Sequence, residues 1–88
     1  MDGFIERIEI EQLAPTVVRL PGRRFPGVVI QGDSLSIIRS DVAEVTTLCA
    51  QGEVGEALES AQYLLAKLDE ILGYYEDVLD SHGIRRPY

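Results

Sequence analysis

Two adjacent arginines, Arg23 and Arg24, are the side chains in this sequence best suited to bind an anion. They lie between two Pro-Gly dipeptides, at positions 21–22 and 26–27, and each proline fixes its own φ and restricts the residue before it. Two guanidinium groups on such a stiff loop can hold a carboxylate or a phosphate with little loss of conformational entropy. The same arginines could instead brace the loop against carboxylates of the chain, and the sequence leaves both roles open.

The segment Gly32-Asp33-Ser34-Leu35 resembles the G-D-S-L block of the SGNH hydrolases, in which the serine is the nucleophile. Those hydrolases also need a glycine and an asparagine in the oxyanion hole and a D-x-x-H block for the base, because a serine without these groups is inert. This sequence contains no asparagine, and its histidine follows an aspartate at a spacing of two. We therefore predict that the protein is not an enzyme and that Asp33 or Ser34 is a helix N-cap.

The single histidine and the end of the chain supply the other candidate site residues. His82 is predicted to follow the last helical turn, where it caps carbonyl groups, stabilises the helix dipole when protonated, or makes a pH-sensitive contact. The tail, residues 83–88, is either frayed or folds back and brings its arginines near those of the loop. The predicted ligand- or partner-binding surface consists of these residues: Arg23, Arg24, Asp33, His82, Arg85, Arg86 and Tyr88.

The excess of acidic residues lies in the second half of the sequence. The net charge is -7. Residues 1–40 have five basic and five acidic side chains, whereas residues 41–88 have three and ten. Such a charge repels nucleic acid and anionic membranes, and no apolar run is long enough to span a bilayer. With no basic, apolar leader at the N-terminus, we expect a cytoplasmic protein that binds neither nucleic acid nor membrane.

The acids on the predicted helices have two interpretations. They form either a solvated surface that keeps a small protein soluble, or a docking surface for a basic partner. The residues concerned are Glu53, Glu56, Glu59, Asp69, Glu70, Glu76 and Asp77. A single cysteine, Cys49, excludes an intramolecular disulfide, and with one histidine it has no zinc-ligand spacing. We predict no metal and no cofactor, and we expect Cys49 to be buried.

Hydrophobic periodicity predicts an α+β fold, a short antiparallel β-meander followed by an antiparallel two-helix hairpin. The strands are expected at about 4–11, 16–20 and 27–31, the hairpin over about 33–82 and the tail at 83–88, all within a single domain, 1–88. The first helix should stop at Gln51-Gly52 and the second at Gly83. Apolar residues recur at steps of three and four along both helices: Leu35, Ile38, Val42, Val45 and Cys49, then Leu58, Ala61, Leu65, Leu68, Leu72, Tyr75 and Leu79.

The second predicted helix is longer than the first, with about 28 residues against about 17. Its last turns, from about Leu72 onward, must therefore find other cover. They could pack on the strands of their own chain or on the same turns of a second copy. Because a chain of 88 residues has a thin core, we predict a homodimer built on this overhang.

The run from Leu20 to Leu35, LPGRRFPGVVIQGDSL, and the ending HGI…PY resemble small bacterial proteins grouped only as a domain of unknown function. That resemblance implies a stand-alone bacterial protein with no assigned catalytic residue. An acidic single domain without catalytic groups suits a binding or interaction protein, of the immunity or antitoxin kind, that neutralises or docks on a partner. The alternative is a small-molecule or nucleotide binder that uses Arg23 and Arg24 for an anionic ligand.

Overall fold

A computed structural model describes residues 9–88, which form a three-stranded antiparallel sheet followed by two α-helices. The strands are β1 (Glu11–Ala14), β2 (Val17–Arg19) and β3 (Gly27–Val28), and the helices are α1 (Gly32–Ala50) and α2 (Val54–Ser81). The predicted α+β class, a β-meander before a helical hairpin, is confirmed. The helix lengths are 19 and 28 residues, close to those expected.

The chain divides into two compact units. The first contains the described residues up to Val29 together with Tyr75–Tyr88, and the second contains Ile30–Tyr74. The sheet and the end of α2 thus belong to the first unit, and the helical hairpin makes up the second. The single domain over residues 1–88 stays a prediction.

The strands are short and sit in the order β1-β2-β3. Most of the first predicted strand, about 4–11, lies outside the described residues, and β1 continues to Ala14. The turn into β2 contains Thr16, which has a positive φ of 67°. The third strand was predicted at 27–31, but β3 ends at Val28, although the Val29 N–H still donates a 2.7 Å hydrogen bond to the Thr16 carbonyl oxygen. The chain leaves the sheet there because Gln31 already caps α1.

The first helix begins earlier than the sequence indicates. Its N-cap is Gln31, which has an extended backbone (φ −64°, ψ 150°) and no capping hydrogen bond from its side chain. The prediction that Asp33 or Ser34 is the N-cap is therefore wrong, because both lie inside the first turn. The Asp33 carboxylate does accept a 2.8 Å hydrogen bond from the Ser34 N–H, in a position where the helix dipole favours negative charge.

Both helices end at the glycines that predicted their ends. Gly52 after α1 and Gly83 after α2 have φ values of 77° and 66°, which residues with a Cβ adopt only at a cost. After α2, the Ile84 N–H donates to the Leu79 carbonyl oxygen at 2.9 Å and the Gly83 N–H to that of Asp80 at 3.1 Å. These two bonds form a Schellman motif, and the same pattern of bonds follows α1.

The core of the first unit joins the end of α2 to the strands. Its buried residues are Val17, Tyr75, Val78 and Leu79, and partly buried Leu13, Ala14 and Ile84 pack against them. Leu79 and Val17 are fully enclosed. The last turns of α2 therefore pack on the strands of their own chain, which is one of the two arrangements that the sequence leaves open.

The hairpin of the second unit buries little. No residue of α1 is buried, and in the part of α2 that belongs to this unit Ala57 alone is buried. An ion pair of 3.1 Å between Lys67 Nζ and Asp41 Oδ2 connects the two helices. We use the word seam for seven buried or half-buried apolar residues that lie on one side of each helix: Ile38, Val45 and Leu48 on α1, and Ala57, Ala61, Leu64 and Ile71 on α2.

Most of the large apolar residues of the predicted stripes do not lie in the seam. Leu58, Leu65, Leu68 and Leu72 keep between 43% and 57% of their surface exposed. Cys49 is also exposed, so the prediction that it is buried is wrong. The three-four period identified the apolar side of each helix correctly, but the partner helix of the hairpin covers a neighbouring side instead.

Candidate functional site

The arginine loop, residues 20–27, has a backbone that is fixed from within the first unit. The Arg23 N–H donates to the Leu20 carbonyl oxygen at 3.1 Å, closing a turn in which Gly22 has a φ of 74°. At the other end of the loop, the Tyr75 hydroxyl donates a 2.6 Å hydrogen bond to the carbonyl oxygen of buried Pro26. Burial raises the pKa of Tyr75, so the phenol remains a donor at neutral pH.

Arg19, at the end of β2, supplies a further contact to this loop. Its Nη1 donates to the Arg24 carbonyl oxygen at 3.1 Å, while its Nε donates to Glu11 Oε1 at 2.8 Å. Glu11 and Arg19 are partners across the β1–β2 ladder, so the sheet itself positions the guanidinium. Arg19 was not among the predicted site residues, because its pairing with Glu11 depends on a register shift between Gln12 and Ala14 that leaves no signal in the sequence.

The side chains of Arg23 and Arg24 are exposed. The Arg24 guanidinium lies over the Phe25 ring, 5.3 Å from its centroid, an arrangement that restrains it without neutralising it. Within residues 9–88, neither arginine forms an ion pair with an acid. In this part of the chain the carboxylate brace is made by Arg19, and the charges of Arg23 and Arg24 face solvent.

The tail arginine Arg86 has a different environment. Its Nη2 donates to Asp80 Oδ2 at 3.0 Å, and its Nη1 lies 3.4 Å from Glu76 Oε2. The hydrogen bond to Asp80 is the main cause that raises the pKa of Arg86. The Tyr88 hydroxyl donates to the same Glu76 oxygen at 2.7 Å. Loss of solvation, followed by that hydrogen bond, raises the pKa of Tyr88 to about 12.

The structure thus brings Arg86 and Tyr88 together on Glu76, an acid one helical turn before Asp80. Two carboxylates four residues apart on a helix lie on one face, which is the signal that could have predicted this contact. The acids satisfy both residues, so the tail acts as a brace for the end of α2. Arg85, which directly precedes Arg86, is exposed and forms no ion pair with any acid of residues 9–88.

His82 contacts the last turn of α2. Its Nδ1 lies 2.9 Å from the Val78 carbonyl oxygen and 3.3 Å from Ser81 Oγ. A carbonyl can only accept, so Nδ1 carries a proton and the ring caps the helix end. Asp33, the remaining predicted site residue, belongs to the second unit, where its carboxylate binds the first turn of α1.

The chain matches, over residues 6–88, the family model described as a family of unknown function, DUF6959. It belongs to the DUF6959 family. The resemblance to a family without an assigned activity is therefore confirmed, while the bacterial origin stays a prediction. No curated protein and no solved structure matches this DUF6959 chain. Its role is consequently inferred from the contacts of its own residues.

In residues 9–88, no cluster of three or more His, Cys, Asp and Glu side chains is placed to hold a metal ion. Over the same residues, neither helix has the length and apolar character needed to cross a membrane.

A second surface of this DUF6959 protein is apolar. On the hairpin, seven large apolar side chains keep between 43% and 57% of their area exposed, and all of them except Ile37 lie toward one side by the helical repeat. We call the other six the apolar face: Leu35 and Val42 on α1, and Leu58, Leu65, Leu68 and Leu72 on α2. Large exposed apolar side chains grouped on one side of a hairpin mark an interaction surface more often than scattered ones do.

Proposed function

We propose that this protein is a non-enzymatic binding module, and that its arginine loop docks an anionic group of a protein partner. The proposal is carried by one observation. The guanidinium groups of Arg23 and Arg24 are exposed and have no carboxylate partner within residues 9–88, while the backbone that bears them is held by Arg19 and Tyr75.

This arrangement lowers the entropic cost of binding. A loop that is already fixed in the free protein loses little freedom when a partner arrives, so more of the interaction energy is available for affinity. Two adjacent guanidinium groups suit a carboxylate, which accepts two parallel N–H bonds from one arginine. Because the chain has a net charge of -7, an acidic partner is repelled at long range, and recognition depends on this local contact.

The test compares proteins captured from a lysate of the source cells by immobilised wild type and by a double variant, Arg23→Gln with Arg24→Gln. We expect a captured protein that the double variant loses. The control is Arg39→Gln, which removes an exposed arginine from α1 in the second unit. If the double variant folds normally and captures the same proteins in the same amounts, the arginine loop is not the docking surface.

A small anionic ligand is the competing use of the same residues. Titration calorimetry of wild type with inorganic phosphate and with ATP separates it from a protein partner. We expect no saturable heat from either probe, because the loop offers two exposed guanidinium groups without enclosing walls in their described contacts. Saturable binding that disappears in the double variant would assign the loop to a free ligand.

The second candidate function is neutralisation of a basic partner, as in an immunity or antitoxin protein. It is favoured by one observation: within residues 9–88, Glu53, Glu56, Glu59, Asp69 and Glu70 form no ion pair. Glu76 is excluded from this surface because Arg86 and Tyr88 bind it. A variant with Glu56→Gln and Glu59→Gln should then lose a basic partner that the double arginine variant retains.

A further inference from the structure

We propose that the apolar face of the hairpin pairs with the same face of a second copy of this chain, forming a four-helix bundle. This surface belongs to the second unit and is independent of the arginine loop, which belongs to the first.

The helical repeat places the six residues of the apolar face toward one side of the hairpin, with Leu68 nearest the seam. Each residue of an α-helix advances by about 100°. On α1, Leu35 and Val42 therefore lie roughly 80° from the direction of the seam, and on α2, Leu58 and Leu65 lie roughly 90° from it. On each helix the rotation away from the seam is in the sense of increasing residue number. Because the two helices are antiparallel, these rotations turn both stripes toward the same side of the hairpin.

This orientation is the one found in helix bundles. In a four-helix bundle each helix directs its stripe between two neighbours, one in its own hairpin and one opposite. Here the ion pair between Lys67 and Asp41 joins the two helices of the hairpin, and the apolar face is the side that an opposite pair of helices would contact. The steps of seven, three and four residues from Leu58 to Leu65, Leu68 and Leu72 match the spacing of the knobs that such packing requires.

The exposed area suits a stable dimer. The six side chains, with those of Val54 and Cys49 at the turn end, are all exposed, and together they offer an apolar surface on the scale of an interface of standard size, ~800 Å² per partner. Val54 is 73% exposed. Without a partner, α1 would remain a helix with no buried residue.

The charge distribution permits two acidic chains to meet at this face. By the same repeat, Glu44, Glu56 and Glu70 lie on the other side of the hairpin. The residues that flank the face on its outer edges are Arg39 on α1 and Asp69 on α2. When α1 lies against the partner's α2, these flanking charges are opposite in sign, so a second copy is complementary at the rim as well.

The experiment measures the mass of the whole protein in solution by sedimentation velocity over a range of micromolar concentrations. Wild type should have twice the mass of the 9.8 kDa chain. Leu65→Arg and Leu35→Arg should reduce it to that of a monomer. The matched control is Ile37→Arg: Ile37 and Leu35 are both 55% exposed, but Ile37 lies on the opposite side of the hairpin, so this variant should remain a dimer.

A second measurement uses Cys49, which is exposed in one chain and lies beside the apolar face. Its rate of reaction with a maleimide should fall several-fold as the concentration of wild type rises, and should not change with concentration in Leu35→Arg. A wild type that stays monomeric with a constant labelling rate would overturn the proposal. The proposal would also be overturned by a dimer that Leu65→Arg, Leu35→Arg and Ile37→Arg all leave intact, or by a mass that grows beyond two chains.

Discussion

The Tyr75 hydroxyl donates a 2.6 Å hydrogen bond to the carbonyl oxygen of Pro26, a residue 49 positions earlier in the sequence. Both residues are buried, so water does not compete for the bond. It links the last part of α2 to the arginine loop, and it accounts for a polar group in the core of the first unit.

Removal of this hydroxyl should destabilise the protein without a change in packing. We expect Tyr75→Phe to lower the free energy of unfolding by about 1–2 kcal/mol, because the Pro26 carbonyl loses its donor while buried. Urea denaturation followed by circular dichroism measures the change. Tyr63→Phe, at a residue that is 63% exposed, should change the free energy by less than about 0.5 kcal/mol. Equal effects of the two variants would contradict this interpretation.

Arg19 should contribute more to the free energy of unfolding than its ion pair with Glu11 alone. Arg19→Gln removes both the contact with Glu11 and the bond to the Arg24 carbonyl oxygen, and we expect a loss of about 1–2 kcal/mol in the free energy of unfolding. Glu11→Gln removes only the ion pair, which is partly exposed, and should cost at most about 1 kcal/mol. Chemical denaturation of both variants tests the difference, and a larger loss for Glu11→Gln would refute it.

Two glycines of the first and second units should respond to alanine with opposite signs. Gly83 has a φ of 66°, where a Cβ is strained although it meets no atom within 4 Å. Gly83→Ala should therefore lower the free energy of unfolding by about 1 kcal/mol. Gly73 lies inside α2 and its Cβ would also meet nothing, so Gly73→Ala should raise the free energy by about 0.5–1 kcal/mol. Thermal melts of the two variants should shift in opposite directions.

The missing side-chain cap of α1 can be supplied. Gln31 has the backbone of an N-cap without a capping bond, so Gln31→Asp should stabilise the protein by about 0.5–1 kcal/mol. Ser34 lies within the first turn, and Ser34→Ala should be nearly neutral. A clear loss of stability in Ser34→Ala, measured by thermal denaturation, would show that the serine and not Gln31 is the cap.

Stability should fall at alkaline pH. The pKa values of Tyr75 and Tyr88 are raised in the folded protein, the latter to about 12, above the ordinary value near 10. Below pH 10 the phenols stay protonated in both the folded and the unfolded chain, so their contribution to the free energy of unfolding is fully present. Above about pH 10 the unfolded chain releases them first, and stability declines until the folded groups also ionise. Urea midpoints from pH 9 to 11.5 should decline more steeply in wild type than in Tyr75→Phe.

The long helix α2 could be predicted closely, because an uninterrupted apolar period runs between Gly52 and Gly83. The partner of Arg19 could not. A turn at residues 15–16 with regular pairing would set Arg19 opposite Gln12, but the register shifts between Gln12 and Ala14 and sets it opposite Glu11. A one-residue bulge of this kind leaves no periodic signal in so short a strand.

Only part of the candidate site could be predicted from the sequence. The stiffness of the arginine loop follows from its prolines. Whether the tail frays or folds back depends on its contacts with the pair of carboxylates at Glu76 and Asp80. In the hairpin, periodicity identifies which side of a helix is apolar. It does not identify which neighbour covers that side, since a helix in the same chain and a helix in a second copy satisfy the same pattern.

Because α1 has no buried residue, its backbone amides depend for protection on whatever covers the apolar face. In a single chain, α1 should open locally at a small fraction of the global unfolding energy, and its amide hydrogens should exchange with solvent ahead of those near Val17 and Leu79. Association of two chains would slow that exchange. The exchange rate along α1 would then report, residue by residue, how much of the protein is paired.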